Sequence, residues 1–159
     1  MVGYGISHGE LAKTAAKSWL IMPTKREAKS VKWLEFGLLA VGALVGAFLR
    51  YKMVESPMAV YGLPVNVLLV NVVGSFILGL FSVLSVSFNF DPQYTLLVAV
   101  GFCGSFTTMS SFALEAANLA DANRFSLMAL NILANVGLSL GAVFGGRAIG
   151  TFALERFVR

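Results

Sequence analysis

Charge is scarce in this sequence, and cysteine and histidine each occur once. Asp, Glu, Lys and Arg together make up 13% of the 159 residues, against roughly 25% in soluble domains. So few charges cannot cover the surface of a soluble domain. With 57% hydrophobic residues and a mean hydropathy of +0.79, lipid is the solvent for most of the chain. The single Cys103 lies in an apolar stretch, which excludes an intrachain disulfide and leaves the thiol a small packing hydrophobe. His8, in the polar N-terminal region, excludes a histidine-built metal or catalytic centre. The net charge is +4, but the basic residues gather at the termini. That distribution suits a membrane surface, not nucleic acid, which calls for a basic face interleaved with aromatics.

Residues 1–32 are the one soluble-looking part, a basic N-terminal extension carrying Lys13, Lys17, Lys25, Arg26, Lys29 and Lys32. Ser7-x-x-Glu10 has the form of a capping box. Leu11, Ala12, Ala15, Ala16 and Trp19 follow on one helical face, so residues 8–21 read as a short helix lying on the bilayer. The same residues also fit a solvated leader. A secretory signal fits poorly, because no apolar core follows the first basic residues. Pro23 then breaks the chain, and Thr24-x-x-Glu27 can cap a helix running into the membrane.

Four apolar segments follow over residues 33–152: Trp33 to Leu49, closed by Arg50; Val65 to Ser87; Tyr94 to Ala120; and Phe125 to Phe152. Each approaches the ~20 residues that cross about 30 Å of hydrocarbon. This is an all-α membrane protein of four transmembrane helices, with a short tail at 153–159. The loops, near Lys52–Pro64, Phe88–Gln93 and Asp121–Arg124, leave no room for an extramembrane domain. With both termini cytoplasmic, the inside holds the six basic residues above plus Arg147, Arg156 and Arg159, and the outside holds Arg50, Lys52 and Arg124. Nine against three favours that orientation in the cell membrane. Without residues 1–32 the tally is three against three, which is no bias.

Small residues recur four apart in the first segment (Gly42, Gly46; Ala43, Ala47) and the fourth (Gly137, Gly141, Gly145), a spacing that lets helix backbones approach. Four helices are few to enclose a pathway alone, which favours an oligomer. Asn71 sits mid-way along the second segment, and Asn131, Asn135 and Ser139 fall four apart on one face of the fourth. One buried amide is readily a helix staple; a whole polar stripe reads as a hydrated track. The third segment holds Gly101-Phe102-Cys103-Gly104-Ser105-Phe106-Thr107-Thr108-Met109-Ser110-Ser111-Phe112, then Glu115. Two glycines and five hydroxyls at the centre of a span disfavour a continuous helix. The expectation is a third helix broken mid-membrane between Gly104 and Thr108, its free carbonyls suited to a cation and its half-helix N-terminus to an anion. A straight helix with a small packing face is the plainer alternative.

Gly101 to Glu115 resembles the third-helix signature of the CrcB/Fluc fluoride channels. Gly42-Ala43-x-x-Gly46-Ala47-x-Leu49-Arg50 is similar to the family's first helix, and Asn71-x-x-Gly74-Ser75-Phe76-x-x-Gly79 to its second. Asn135 and Ser139 resemble small polar positions of its fourth. The resemblance covers about residues 34–150. It implies a passive fluoride channel, not an enzyme, that lowers cytoplasmic fluoride through a dimer of antiparallel subunits with two pores. It also implies a structural sodium ion, not transported, held by the backbone carbonyls of Gly104 and Thr107. The fluoride pathway then corresponds to Asn71, Met109, Ser110, Ser111, Phe112, Asn135 and Ser139, with Arg50 near a pore entrance and Glu115 near one end of the track. Two positions depart from the pattern: Met109 replaces the usual phenylalanine, and Asn131 stands where tyrosine is common. A homodimer and a heterodimer with an oppositely oriented paralogous subunit both remain open. The rival functions are a small multidrug or cation exporter working through Glu115, and a non-conducting scaffold partner.

Overall fold

The structure, a computed structural model, describes residues 33–157. The expected surface helix at 8–21 and the basic residues before Trp33 lie outside the described residues, as does Arg159. Among the described residues, four helical spans are each long and apolar enough to cross a membrane. The first is α1 (Trp33–Glu55) and the second α2 (Asn66–Ser87). The third is composite. It starts as α3 (Pro92–Thr95), with Asp91 capping through its side chain, and becomes a wider π-helix over Leu96–Cys103. After one more turn, α4 (Gly104–Phe106), the chain leaves the helix and resumes as α5 (Met109–Asp121). The fourth span is α6 (Phe125–Phe157).

Two helices outrun the apolar segments that mark them. α1 does not stop at Arg50 but continues to Glu55. Its last turn is held by polar contacts that hydropathy cannot register: Lys52 Nζ pairs with Glu55 Oε2 at 2.8 Å, and the Tyr51 hydroxyl donates to Glu55 Oε1. α6 runs five residues beyond Phe152, so the expected tail begins as helix. Its 33 residues rise about 50 Å, more than the ~30 Å of hydrocarbon. The surplus end carries exposed Glu155 and Arg156.

The loop between the first two spans is built, not slack. The buried Asn66 clasps it: Nδ2 donates to the carbonyls of Met53 (2.6 Å) and Ser56 (2.9 Å), and Oδ1 accepts the Met58 N–H (2.6 Å). These bonds serve the C-terminal carbonyls that α1 cannot satisfy itself. Between them a two-stranded hairpin, β1 (Ala59–Val60) with β2 (Leu63–Pro64), turns through Tyr61 (φ 51°) and Gly62 (φ 83°). Positive φ at both tip residues matches the twist of a tight hairpin.

The spans pair off. α1 packs on the first half of the third span, and α2 packs on α6. Glycine permits both approaches: a Cβ on Gly42 or Gly46 would strike the carbonyls of Leu97 or Phe102, and on Gly79 or Gly146 those of Val143 or Phe76. The first-segment stripe therefore packs as its spacing predicts. In the fourth segment the contact falls instead on Gly146, while Gly137, Gly141 and Gly145 face open space. α6 turns its other face against α2, and the same rotation buries Asn131 and Asn135.

Candidate functional site

The third span breaks at two residues. Thr107 (φ −74°, ψ 156°) and Thr108 (φ −149°, ψ 112°) are extended, whereas Gly104 is itself helical (φ −64°, ψ −30°). The irregularity is narrower than the Gly104–Thr108 expectation and sits at its far end. Upstream, Thr107 closes the helix twice on the Cys103 carbonyl, through its N–H (3.0 Å) and its hydroxyl (2.9 Å). Downstream, Thr108 caps α5: its Oγ1 accepts the Ser111 N–H at 3.2 Å and lies 3.0 Å from Ser111 Oγ and 3.2 Å from Ser110 Oγ.

The second span supplies what the ladder loses. The Thr108 N–H, which in an unbroken helix would point to the Gly104 carbonyl, donates to Asn71 Oδ1 at 2.8 Å. Asn71 Nδ2 in turn donates to the Thr108 carbonyl (3.3 Å) and to Asn135 Oδ1 (3.1 Å). Asn135 Nδ2 donates to the Asn131 carbonyl (3.1 Å) and to Asn131 Oδ1 (2.7 Å). Three amides from two helices thus line up behind one break. From the first span, Arg50 Nη1 reaches the Thr107 carbonyl at 3.4 Å, a long bond.

A groove of about 420 Å³ lies along the break. Asn71, Thr107, Met109, Phe112, Asn135 and Ser139 are among its walls, as is Gly104. Of the residues singled out in the sequence, these seven come together. Phe112 is buried, whereas Met109 is 71% exposed and stands at the open side. Ser139 Oγ is buried without a partner among the described residues. Arg50 and Ser111 belong to a second hollow of about 370 Å³, shared with Tyr51 and Glu55 near the end of α1. Ser110 is exposed on the first turn of α5, and Glu115 lies two turns along; neither lines these hollows. Asn131, expected in the polar stripe with Asn135 and Ser139, is fully buried and ends the amide line beside Glu115. Asn66 and Thr108 were missed as individuals. The signal for Asn66 was an amide at the first position of a helix, and for Thr108 a hydroxyl at an N-cap.

A family model described as CrcB-like protein, Camphor Resistance (CrcB), matches residues 37–147. The chain belongs to this family. A fluoride-specific ion channel FluC of Nitrosopumilus maritimus is 56% identical over 119 residues, covering 75% of this chain and 94% of the relative. Proteins of the same name from Koribacter versatilis (41% identical; 72% of this chain, 94% of the relative) and Methanocaldococcus jannaschii (38%; 72% and 93%) are also similar. The CrcB match takes in most of each of the four spans and the break, and residues 1–36 precede it.

Proposed function

We propose that this multi-pass membrane protein is a subunit of a fluoride channel, and not an enzyme. The observation that carries the reading is the break at Thr107–Thr108, held by Asn71 beside an open groove, in a chain whose relatives bear the name fluoride-specific ion channel. Fluoride is small and strongly hydrated, so a pathway must replace its water with donors. Ser139 Oγ is a buried, unpartnered donor in the groove, and the hydroxyls of Ser110 and Ser111 stand at the start of α5. The Phe112 ring adds a positive edge. All three polar bonds of Asn71 are committed to the break and to Asn135, so its share is to hold the pathway's shape. An exporter would need its carboxylate at an open cavity, and Glu115 lines neither hollow.

The groove is lined by the second, third and fourth spans and is open rather than enclosed, which supports a second subunit closing it. In the antiparallel arrangement two breaks meet at the common axis, giving two pores. Carbonyl oxygens are the hard ligands a sodium ion takes, and the diverted Thr108 N–H leaves the Gly104 carbonyl without its helical donor. Gly104 and Thr107 would hold the ion, which offsets repulsion between the facing carbonyl dipoles. The Arg50 guanidinium opposes a cation at Thr107, so occupancy requires Arg50 to swing toward Glu55 across the second hollow. With both termini cytoplasmic, the channel lets fluoride leave the cell and lowers its internal concentration. Fluoride efflux from liposomes containing the purified chain, alone and together with an oppositely inserted partner subunit, tests the reading. We expect efflux selective over chloride and lost when sodium is replaced by N-methylglucamine. Sealed vesicles with correctly assembled protein and no fluoride flux would overturn it.

A further inference from the structure

The three amides behind the break have a direction, and backbone atoms set it. Swapping the oxygen and nitrogen of an asparagine normally costs little, so orientation must come from neighbours that can only donate or only accept. The Thr108 N–H can only donate, so the Asn71 atom facing it is Oδ1, and Nδ2 points to the Thr108 carbonyl and to Asn135. The Asn135 atom receiving that bond is therefore Oδ1. The Asn131 backbone carbonyl can only accept, which independently fixes Asn135 Nδ2 toward Asn131. It follows that Asn131 receives at Oδ1 and keeps Nδ2 over. No member can be flipped alone without setting two donors or two acceptors face to face.

The line thus ends in an N–H donor on a residue with no exposed surface, and that donor has no hydrogen-bond partner among the described residues. An unsatisfied amide at membrane depth is costly. Beside it stands Glu115 on α5, whose Oε2 is also buried and unpartnered. One orphan donor and one orphan acceptor on facing helices are complementary. We propose that Asn131 is a positioning residue for Glu115: a small rotation of the glutamate side chain closes an Nδ2–H···Oε2 bond. Glu115 is thereby held against the bundle interior, and its seat is tied through Asn135 and Asn71 to the break. For flux, this rests on the fluoride-channel reading; the hydrogen bond itself does not.

Reversing the polarity tests it. Asn131→Asp keeps an oxygen for Asn135 but sets a second acceptor against Glu115. Glu115→Gln keeps an acceptor for Asn131 and also brings a donor. The double variant Asn131→Asp/Glu115→Gln restores a complementary pair with the bond reversed. A hydrogen bond to a charged group is large enough that Asn131→Asp should lower fluoride efflux per assembled dimer by about tenfold. Glu115→Gln should change it less, and the double variant should recover most of the loss. Thermal stability of the detergent-solubilised protein should show the same rescue, even if Asn131→Asp alone does not fold. Additive defects in both measurements would overturn the proposal, since loss of packing at Asn131 is not repaired by changing Glu115. Rescue of stability in a chain that never conducts would uphold the bond and sink the fluoride reading instead.

Discussion

The second and third spans are made of similar residues and end up with different backbones. The second holds Gly74, Ser75, Gly79, Ser82 and Ser85 and is one unbroken helix. Ser82 and Ser85 donate back to the carbonyls three residues earlier, at 2.7 and 3.2 Å, and the ladder survives. In the third span Thr107 makes the same kind of back-bond to Cys103, yet the helix ends there. Back-bonding hydroxyls loosen a helix without breaking it. What differs is the Asn71 amide, which offers the Thr108 N–H and carbonyl partners outside their own helix. Glycine and hydroxyls permit the break, and a side chain from the neighbouring span makes it.

Removing that side chain should therefore have the largest effect. Asn71→Leu leaves the Thr108 N–H and carbonyl and the Asn135 oxygen without partners, at about 1–3 kcal/mol for each polar group left unpaired. We expect little assembled protein and no fluoride efflux. Asn71→Asp retains the acceptor for the Thr108 N–H and should assemble better than Asn71→Leu. Were Asn71→Leu to assemble and conduct as before, the break would be intrinsic to the third span and the comparison would fail.

The next test separates glycines that touch from glycines that do not. Gly79→Val drives a side chain into the Val143 backbone, whereas Gly141→Val meets nothing within its own chain. Overpacking of this kind costs about 1–3 kcal/mol. Gly79→Val should lower the melting temperature of the subunit, and Gly141→Val should leave the isolated subunit as stable as before. If the Gly137–Gly141–Gly145 face meets a second subunit, Gly141→Val should instead weaken subunit association, measurable by size-exclusion chromatography across concentration. Equal destabilisation of the subunit by both would contradict the rotation of α6 described above.

How far the sequence reaches follows the same division between a span's own residues and its neighbours'. The four spans were legible because hydropathy belongs to each segment alone. The break was legible to within a turn because Gly104, Ser105, Thr107 and Thr108 weaken a helix locally. Its site was not, since Asn71 lies 37 residues away from Thr108 in the chain. Nothing in the apolar run Leu96–Cys103 announces a π-helix, and the Asn66 clasp and the Tyr61–Gly62 hairpin serve a loop that hydropathy reads as blank. For the same reason the stripe Gly137, Gly141 and Gly145 showed its spacing in the sequence but not which way it faces. Among the candidate pathway residues, those of the groove came together, while Arg50 and Ser111 separated into a second hollow.

Orientation belongs to neither span. The charge tally of nine against three falls to three against three without residues 1–32, so deleting them should leave a chain inserted both ways. A cysteine at exposed Ser87 can be labelled from one side of the membrane at a time. We expect one-sided labelling in the full chain and two-sided labelling in the truncated one. Two-sided labelling of the full chain would show that the extension does not set topology. One-sided labelling carries a further consequence: a uniquely oriented chain cannot pair antiparallel with itself, so its partner must be a different, oppositely inserted subunit.

The smallest effect is expected at Met109, where the two spans' roles can be told apart at the groove itself. Phe112 is held in the core, but Met109 is 71% exposed at the open side, so a change there disturbs little within the subunit. A thioether offers an ion no positive edge, whereas a phenyl ring does. If Met109 faces the ion, Met109→Phe should preserve fluoride efflux or raise it by no more than about fivefold, the scale of an aromatic contact worth on the order of 1 kcal/mol. Loss of the assembled dimer on this substitution would show that Met109 packs against the second subunit. Met109 would then leave the ion pathway, and Phe112 would be the one side chain of α5 that lines the groove toward the ion.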